Sequence, residues 1–201
     1  MMNLQTPKKF KLLIDQAHEV ALNVLRPISR KYDKAEHAYP IELDMLASVV
    51  DGMNQGSEGM NAGAAVNKRG DADTTNKNGI NMSTALSIIE MCYGDTGLLL
   101  SMPRQGLGNS AIAAVANEEQ LQRFHGTWAA MAITESGCGS DSAAIRTTAT
   151  KDGDDYILNG EKIFVTSGDR ADAVVVWATL DKKLGRSAIK SFVVAKGTPG
   201  M

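Results

Sequence analysis

The hydrophobic period of this chain changes near Gly126, and that change limits the fold classes open to it. Before Gly126 the apolar residues recur at three- and four-residue spacing, as they do from Phe10 to Ile28, which predicts amphipathic helices. After Gly126 short apolar runs are separated by Gly/Asp turns, such as the turn from Lys151 to Asp155, which predicts strands. Helices followed by strands exclude a fold of alternating βαβ units.

We therefore expect an α+β chain, with an all-α helical domain at residues 1–126 and an antiparallel β barrel or sandwich at residues 127–201. The chain stops directly after its last predicted strand, which would leave a sheet edge without a partner, so the β domain looks truncated. The strands are expected at 129–134, 146–150, 156–158, 163–166, 174–180 and 191–195.

Prolines mark the first two predicted helices. Pro27 should kink or end the helix that begins near Phe10, and Pro40 suits the start of the next helix, which runs to about Gly52. Residues 52–79 are rich in Gly, Asn and Asp and carry few large aliphatic side chains. Such a segment buries too little apolar surface to offset the entropy of ordering, so a loop insertion is expected there.

Two further helices are predicted before the strands begin. Ser83 suits the N-cap of a helix that ends near Tyr93. Another helix is expected from Leu107 to about Phe124, after a bend that Gly106 and Gly108 mark. The first 126 residues are thus expected to contain helices and no strand.

The composition excludes several classes of function. The net charge is −2 and no stripe of basic and aromatic residues occurs, so no nucleic-acid partner is expected. No window of about 18 apolar residues and no secretory signal occur, which predicts no membrane span. Cys92 and Cys138 lack metal-site spacing and favour a cytoplasmic protein. His18, His37 and His125 are scattered, so neither a metal site nor a catalytic triad is expected.

The run from Met131 to Asp141 carries the most chemical information. An apolar strand leads into Thr134-Glu135 and then into a loop that contains Gly137, Gly139 and Ser140. Glycines let a backbone approach phosphate groups closely, so this loop suits an anion. Such a loop alone is more often a plain turn, and this one lacks the third glycine and the helix of a dinucleotide-binding fingerprint.

A second segment makes the pattern more specific. Thr-Glu-x-Gly-x-Gly-Ser-Asp at 134–141 is followed by a Gly-Asp turn, by the run from Leu158 to Thr166, and by Ser167-Gly168 and Ala171-Asp172. In order and spacing, these residues resemble the flavin- and acyl-CoA-binding signature of the acyl-CoA dehydrogenases. The resemblance covers nearly the whole chain apart from residues 52–79. It implies the family's N-terminal helical domain and the first part of its middle β domain.

The resemblance implies FAD as the cofactor and assigns site residues one by one. Thr166 would hydrogen-bond to the flavin N5, Phe164 would cover one edge of the ring, and Ser140 would also contact the acyl-CoA substrate. The chain departs from the family pattern at Ser136, usually proline, at Cys138, usually a small residue, and at Phe164, usually tryptophan. The flavin contacts carried over are Met131, Ala132, Ile133, Thr134, Gly137, Gly139, Ser140, Phe164, Val165 and Thr166.

The implied function is that of an FAD-dependent acyl-CoA dehydrogenase of fatty acid β-oxidation. Such an enzyme oxidises an acyl-CoA to the trans-2-enoyl-CoA and passes the electrons to an electron-transfer flavoprotein. As a full-length protein it is expected to be a homo-oligomer. An acyl-CoA oxidase, in which oxygen takes the electrons, and a non-catalytic acyl-CoA-binding or partner-binding fragment stay open as alternatives.

The resemblance also implies what this sequence lacks. The family's catalytic glutamate lies in a C-terminal helical domain beyond these 201 residues, so no catalytic acid or base is assigned within them. Glu135 belongs to the flavin-binding strand in the family pattern and has no base role. The residues that match the floor of the family's acyl pocket are Leu98, Leu99, Leu100, Met102 and Pro103, although plain helix core explains them equally well.

Overall fold

The computed structural model of the chain describes residues 7–54, 80–103 and 107–201. Contacts divide the chain into two compact units. The described residues of the first unit are 7–50 and 80–102, and those of the second are mainly 107–201. The division at residue 126 stays a prediction, because the helical residues 107–123 fall within the second unit by their contacts.

The first unit is helical, as predicted. After a 3-10 turn at Lys8–Phe10 its elements are α1 (Lys11–Val20), a π-helical segment (Ala21–Leu25), α2 (Arg26–Lys34), α3 (Ile41–Asn54), α4 (Ile80–Gly94) and α5 (Thr96–Leu100). The three fully or nearly buried leucines of its core are Leu25, Leu43 and Leu98. Pro27 lies in the first turn of α2, where its missing N–H costs little. The helix departs from regular α geometry directly before it, in the π-helical segment Ala21–Leu25.

The predicted helix start is correct at α3 and wrong at α4. Helix α3 begins at Ile41, directly after Pro40, and continues to Asn54. Helix α4 begins at Ile80, so Ser83 lies inside the helix and not at its N-cap, because a serine that favours a cap does not prevent helix on its N-terminal side. The predicted loop insertion at 52–79 lies, from residue 55 onward, outside the described residues.

The predicted helix from Leu107 to Phe124 is two helices, α6 (Leu107–Val115) and α7 (Glu118–Arg123). Asn117 separates them because its side-chain oxygen accepts a hydrogen bond from the Gln120 N–H at 2.8 Å. The Gln120 side chain accepts one from the Asn117 N–H at 3.0 Å, which completes a capping box and starts a new helix.

A five-stranded sheet follows the helices. Its strands are β1 (Ala129–Ala132), β2 (Thr148–Asp152), β3 (Asp155–Asn159), β4 (Ala173–Thr179) and β5 (Ile189–Ala195). The order is β1-β4-β2-β3, and β5 also pairs with β4. The α+β class is confirmed, but the sheet is not closed and is mixed where an antiparallel barrel or sandwich was expected, since β4 runs parallel to β1 and β2.

Backbone bonds before the strands explain the parallel pairing. The N–H groups of Asp172 and Ala173 both donate to the Trp128 carbonyl, at 2.9 and 3.2 Å. The Asp172 carboxylate accepts a hydrogen bond from the Trp128 N–H at 2.9 Å. Strands β1 and β4 therefore start side by side and run in the same direction, with Ala129 opposite Ala173.

The expected strand at 163–166 is absent, and that prediction is wrong. Residues 161–165 form an irregular loop and residues 166–170 form turns. Phe164 has φ of 56°, a left-handed conformation that a strand cannot contain. The apolar run from Ile163 to Val165 resembles a strand in sequence, but its backbone bends away from any ladder.

Helix α6 fixes the position of β1. A Cβ atom on Gly108 would lie 2.3 Å from the carbonyl oxygens of both Ala129 and Ala130, so only glycine permits this close approach. Next to it, the Asn109 side chain donates to the Thr127 carbonyl at 2.6 Å and accepts from the Ala129 N–H at 3.0 Å.

Among the described helices, none is long and apolar enough to cross a membrane.

Candidate functional site

The loop after β1 forms a tight turn. Met131 and Ala132 lie in β1, and the chain turns between Glu135 and Cys138, which exchange two backbone hydrogen bonds of 3.0 and 3.1 Å. The predicted loop residues in and after this turn are exposed, namely Gly137, Gly139 and Ser140.

The two loop glycines are not required by the packing of the chain itself. A Cβ atom on Gly137 would meet nothing within 4 Å, and one on Gly139 would meet only the Thr134 methyl group at 3.8 Å. Neither glycine has a positive φ. The space before their backbone therefore stays open, as the close approach of a phosphate would require.

The second predicted segment lies against the end of β1. The Ile163 N–H donates to the Thr134 carbonyl at 2.9 Å, which brings Ile133-Thr134 and Phe164-Val165-Thr166 together. Val165 packs against the buried cluster that includes Ala132 and Ala171. The structure thus joins the two segments that the sequence predicted to share one site.

Phe164 combines strain with exposure. Its φ of 56° is rare for a bulky residue and costs on the order of 1–3 kcal/mol. The side chain is 87% exposed, so burial of the ring does not offset that cost. Ser167 also has a positive φ of 58°, and its buried hydroxyl has no hydrogen-bond partner. Strained backbone and an unpaired hydroxyl that recur within four residues are typical of ligand sites.

Behind this loop, Glu135 is buried and fully hydrogen-bonded. Its Oε1 accepts from the Thr147 N–H at 2.9 Å, the Thr147 hydroxyl at 2.6 Å and Lys162 Nζ at 2.8 Å. Its Oε2 accepts from the Arg146 N–H at 2.7 Å. Burial acts to raise the pKa of Glu135, but these donors outweigh it and lower the pKa to about 2.

Sequence reasoning missed the partners of Glu135. Lys162 and Thr147 were not singled out, although a lysine between Glu161 and the apolar run Ile163-Phe164-Val165 is a signal that its charge has a partner. The low pKa and the saturated oxygens make Glu135 unsuited to proton abstraction near neutral pH.

The remaining candidates do not join this loop pair. His18 Nδ1 lies 2.8 Å from Glu90 Oε2 in the helical unit, and His37 and His125 are exposed. Across residues 7–54, 80–103 and 107–201, no group of three or more His, Cys, Asp or Glu side chains is arranged to hold a metal ion. Leu98, from the predicted pocket floor, is buried in the core of the helical unit.

The helices and the mixed sheet define an α+β protein, in which an open glycine loop and a strained aromatic loop meet at the end of β1. Comparison with known proteins identifies the class further: residues 130–201 match the family model "Acyl-CoA dehydrogenase, middle domain". This match confirms the resemblance to the acyl-CoA dehydrogenases that the sequence shows.

Individual relatives agree with that assignment. The chain is 30% identical over 201 residues to cyclohex-1-ene-1-carbonyl-CoA dehydrogenase of Syntrophus aciditrophicus, covering 95% of this chain and 44% of the relative. The butyryl-CoA dehydrogenase structure of Megasphaera elsdenii is 25% identical with a TM-score of 0.74, covering 99% of this chain and 51% of that chain.

A third neighbour comes from a structure of the electron transferring flavoprotein of Acidaminococcus fermentans. It is 29% identical with a TM-score of 0.74, covering 99% of this chain and 50% of that chain. The chain therefore spans about half the length of the relatives that it matches. The individual roles of the site residues stay predictions.

Proposed function

We propose that this chain forms the FAD-binding part of an acyl-CoA dehydrogenase. In that reaction a fatty acyl-CoA becomes the trans-2-enoyl-CoA and an electron-transfer flavoprotein takes the electrons. The observation that carries the proposal is the strained, exposed Phe164 next to the open glycine loop, with both segments hydrogen-bonded at the end of β1. FAD is also the cofactor of the family whose middle-domain model the chain matches.

The residues present suit FAD. The exposed backbone of Gly137 and Gly139 leaves room for the pyrophosphate, and the Ser140 hydroxyl adds a donor for the phosphates or for the acyl-CoA. Phe164 offers an uncovered aromatic face to the edge of the flavin ring. Backbone groups of Met131, Ala132, Ile133 and Thr134 would contact the flavin, and Val165 packs against the buried cluster that includes Ala132.

Thr166 is the residue proposed to donate to the flavin N5. It is half-buried and lies two residues from Phe164, at the start of the turn that follows the irregular loop. The bound flavin would supply the hydride acceptor, and the Thr166 hydroxyl would donate a hydrogen bond to N5 of the oxidised ring. This hydrogen bond would help to orient the ring for hydride arrival.

The comparisons support an acyl-CoA substrate but do not fix its acyl group. The relatives named above act on a cyclic acyl-CoA and on butyryl-CoA, according to their names. The neighbour from the electron transferring flavoprotein structure supports that protein as the electron acceptor. Homo-oligomerisation and a role in β-oxidation stay predictions that follow from the family resemblance, and a cytoplasmic location stays a prediction from the sequence.

A second candidate is a role in binding without turnover for these 201 residues. The specific observation that favours it is the state of Glu135, whose hydrogen bonds lower its pKa to about 2 and make this carboxylate a poor base near neutral pH. In that case the chain would bind FAD or acyl-CoA, and proton abstraction would require a residue from elsewhere.

One experiment orders these proposals. The catalytically complete protein that contains this chain is purified, incubated with FAD and desalted, and retained flavin absorbance is measured; acyl-CoA is then added without oxygen. Retained flavin that bleaches supports a dehydrogenase or an oxidase, and reoxidation by air compared with electron-transfer flavoprotein separates the two. Retained flavin that does not bleach supports binding alone. A chain that retains no FAD contradicts the flavin site.

Thr166→Val tests the site itself. We expect this variant to slow flavin reduction roughly tenfold, the effect of one lost hydrogen bond, while FAD affinity changes less. Stopped-flow reduction in the catalytically complete protein measures the rate, and equilibrium titration measures affinity. Thr198→Val, at an exposed turn after β5, is the matched control. An unchanged reduction rate in Thr166→Val would exclude the N5 role.

A further inference from the structure

Lys162 is a buried lysine directly before the strained loop. Its side chain is only 8% exposed, which is rare for lysine unless its charge is paired. The ammonium group donates to the Ile133 carbonyl at 2.9 Å and to Glu135 Oε1 at 2.8 Å. One side chain thus bridges the end of β1 and the turn that precedes the glycine loop.

The carboxylate that holds Lys162 is itself fixed. Two backbone N–H groups, from Arg146 and Thr147, and the Thr147 hydroxyl donate to Glu135 at 2.6–2.9 Å. A Cβ atom on Gly160 would lie 2.4 Å from that hydroxyl oxygen, so the chain before Lys162 also packs closely on Thr147. Lys162 therefore pairs with a carboxylate that cannot move without breaking its hydrogen bonds to Arg146 and Thr147.

The segment after Lys162 is held at both ends around its strained residue. On one side the Ile163 N–H donates to the Thr134 carbonyl at 2.9 Å. On the other side Val165 packs into the buried cluster, and the Ala171 N–H donates to the Ser167 carbonyl at 2.9 Å. Phe164, with its left-handed backbone, lies between these two anchors. A strained conformation persists only where its surroundings impose it.

We propose that Lys162 is a positioning residue, whose buried bridge between the Ile133 carbonyl and Glu135 holds Phe164 to Thr166 in the conformation that receives the flavin edge. The inference rests on the proposed function for its ligand, but the hold on the loop can be measured without FAD. The buried Lys162 ammonium is bonded to the Ile133 carbonyl and Glu135, so its proposed role is exerted through the loop that follows it. The same geometry predicts that Glu135 positions the loop through Lys162.

Four variants test this role. Lys162→Met keeps the length of the side chain and removes its charge, and Lys162→Arg keeps the charge. The double variant Glu135→Gln/Lys162→Met removes both buried charges, so no uncompensated carboxylate is left behind. Lys190→Met is the matched control, because Lys190 also donates to a backbone carbonyl, that of Ser187 at 3.0 Å, but at an exposed position away from the loop.

Two measurements are made on each folded variant. Equilibrium titration gives the FAD dissociation constant. Hydrogen exchange gives the rate at the Ile163 amide, which donates to Thr134, relative to the amides of the central strand β4. The ratio separates release of the loop from a loss of global stability, because global unfolding exposes both sets of amides.

We expect Lys162→Met to raise the FAD dissociation constant at least tenfold and to raise the exchange ratio of Ile163 at least tenfold. Lys162→Arg should restore part of both. The double variant should recover much of the folding stability lost in Lys162→Met, yet its FAD affinity should stay low because nothing bridges the Ile133 carbonyl. Lys190→Met should match the wild type in both measurements.

The results that overturn the inference are distinct from those that overturn the proposed function. Wild-type FAD affinity and exchange ratio in Lys162→Met, or FAD affinity that returns with stability in the double variant, would make the pair structural only. If the unaltered chain binds no FAD, the proposed function fails, and the exchange ratio alone decides whether Lys162 holds the loop. If Lys162→Met does not fold, the double variant and Lys162→Arg provide the same comparison.

Discussion

Gly108 and Gly137 place the same residue type in opposite surroundings near one strand. At Gly108 a methyl group would lie 2.3 Å from two carbonyl oxygens of β1, whereas at Gly137 it would meet nothing within 4 Å. The first glycine is explained entirely by packing, because α6 must approach the backbone of β1. The second has no such explanation within the chain. The comparison indicates that the chain is closely packed behind β1 and open in the loop beyond it, where a ligand would bind.

The largest expected effect concerns the packed side. Gly108→Ala should lower the free energy of unfolding by about 3 kcal/mol or more, because the new methyl group can be accommodated only if α6 moves away from β1. Urea unfolding monitored by circular dichroism measures the change. Ser110→Ala, at an exposed position of the same helix, should be nearly neutral. A near-neutral Gly108→Ala would mean that α6 does not pack as described.

The second effect concerns the Glu135 carboxylate behind the loop. Its pKa is lowered from 4.5 to about 2 in the folded chain, so its stabilising contribution is complete above about pH 4.5 and is lost as the pH falls towards 2. We expect the free energy of unfolding to drop by on the order of 2–3 kcal/mol over that range on this account. In Glu135→Gln that part of the drop should vanish. If the free energy of unfolding of Glu135→Gln falls as steeply between pH 4.5 and 2 as that of the wild type, Glu135 is not the source of this pH dependence.

The open side should respond differently. Gly137→Ala should leave the free energy of unfolding within about 0.5 kcal/mol of the wild type, since the methyl group meets no atom of the chain. It should raise the FAD dissociation constant roughly tenfold, about 1.4 kcal/mol, because the methyl group would occupy the space before the loop backbone. Ser136→Ala, at the exposed position directly before Gly137, is the control and should change neither quantity. Loss of stability without loss of affinity would reverse the comparison.

The smallest effect has opposite signs on stability and binding. Phe164→Gly should stabilise the FAD-free chain by up to about 1 kcal/mol, because glycine adopts the left-handed backbone without strain and the lost ring is 87% exposed. The same variant should weaken FAD binding. Thermal unfolding with and without FAD measures both quantities. If the FAD-free variant is clearly less stable, Phe164 contributes packing that its exposure does not suggest.

The sequence predicted the class of the fold because the helical and strand periods are each sustained over many residues. It did not predict the parallel pairing of β4 with β1, since that depends on Asp172 and Trp128, which are 44 residues apart in the chain. It also misassigned residues 163–166 as a strand. An apolar run there satisfies strand propensity, and the left-handed backbone at Phe164 comes from tertiary contacts that propensity does not contain.

The candidate site was recognisable in sequence as two segments of one family signature, but the contact between them was not. The glycine pattern at 134–141 and the run that ends at Thr166 gave residue types and spacing, and the structure joins them through the Ile163 N–H and the Thr134 carbonyl. Lys162 and Thr147 were overlooked because single polar residues in a strand-like context have many ordinary explanations. Their meaning depends on which carboxylate they reach, and sequence separation does not reveal that.

The parallel pairing of β1 with β4 has a consequence for the order of folding. The hairpin of β2 and β3 needs only the two-residue turn at Gly153-Asp154, so its closure entropy is small. Strand β1 instead pairs with β4, whose residues lie 44 positions further along the chain. We expect the hairpin to form early and the docking of β1 to come late, because contacts between distant residues form slowly. The ability to bind a cofactor would then arise only in the last stage of folding, so cofactor uptake would distinguish the native chain from partly folded states that already contain a sheet.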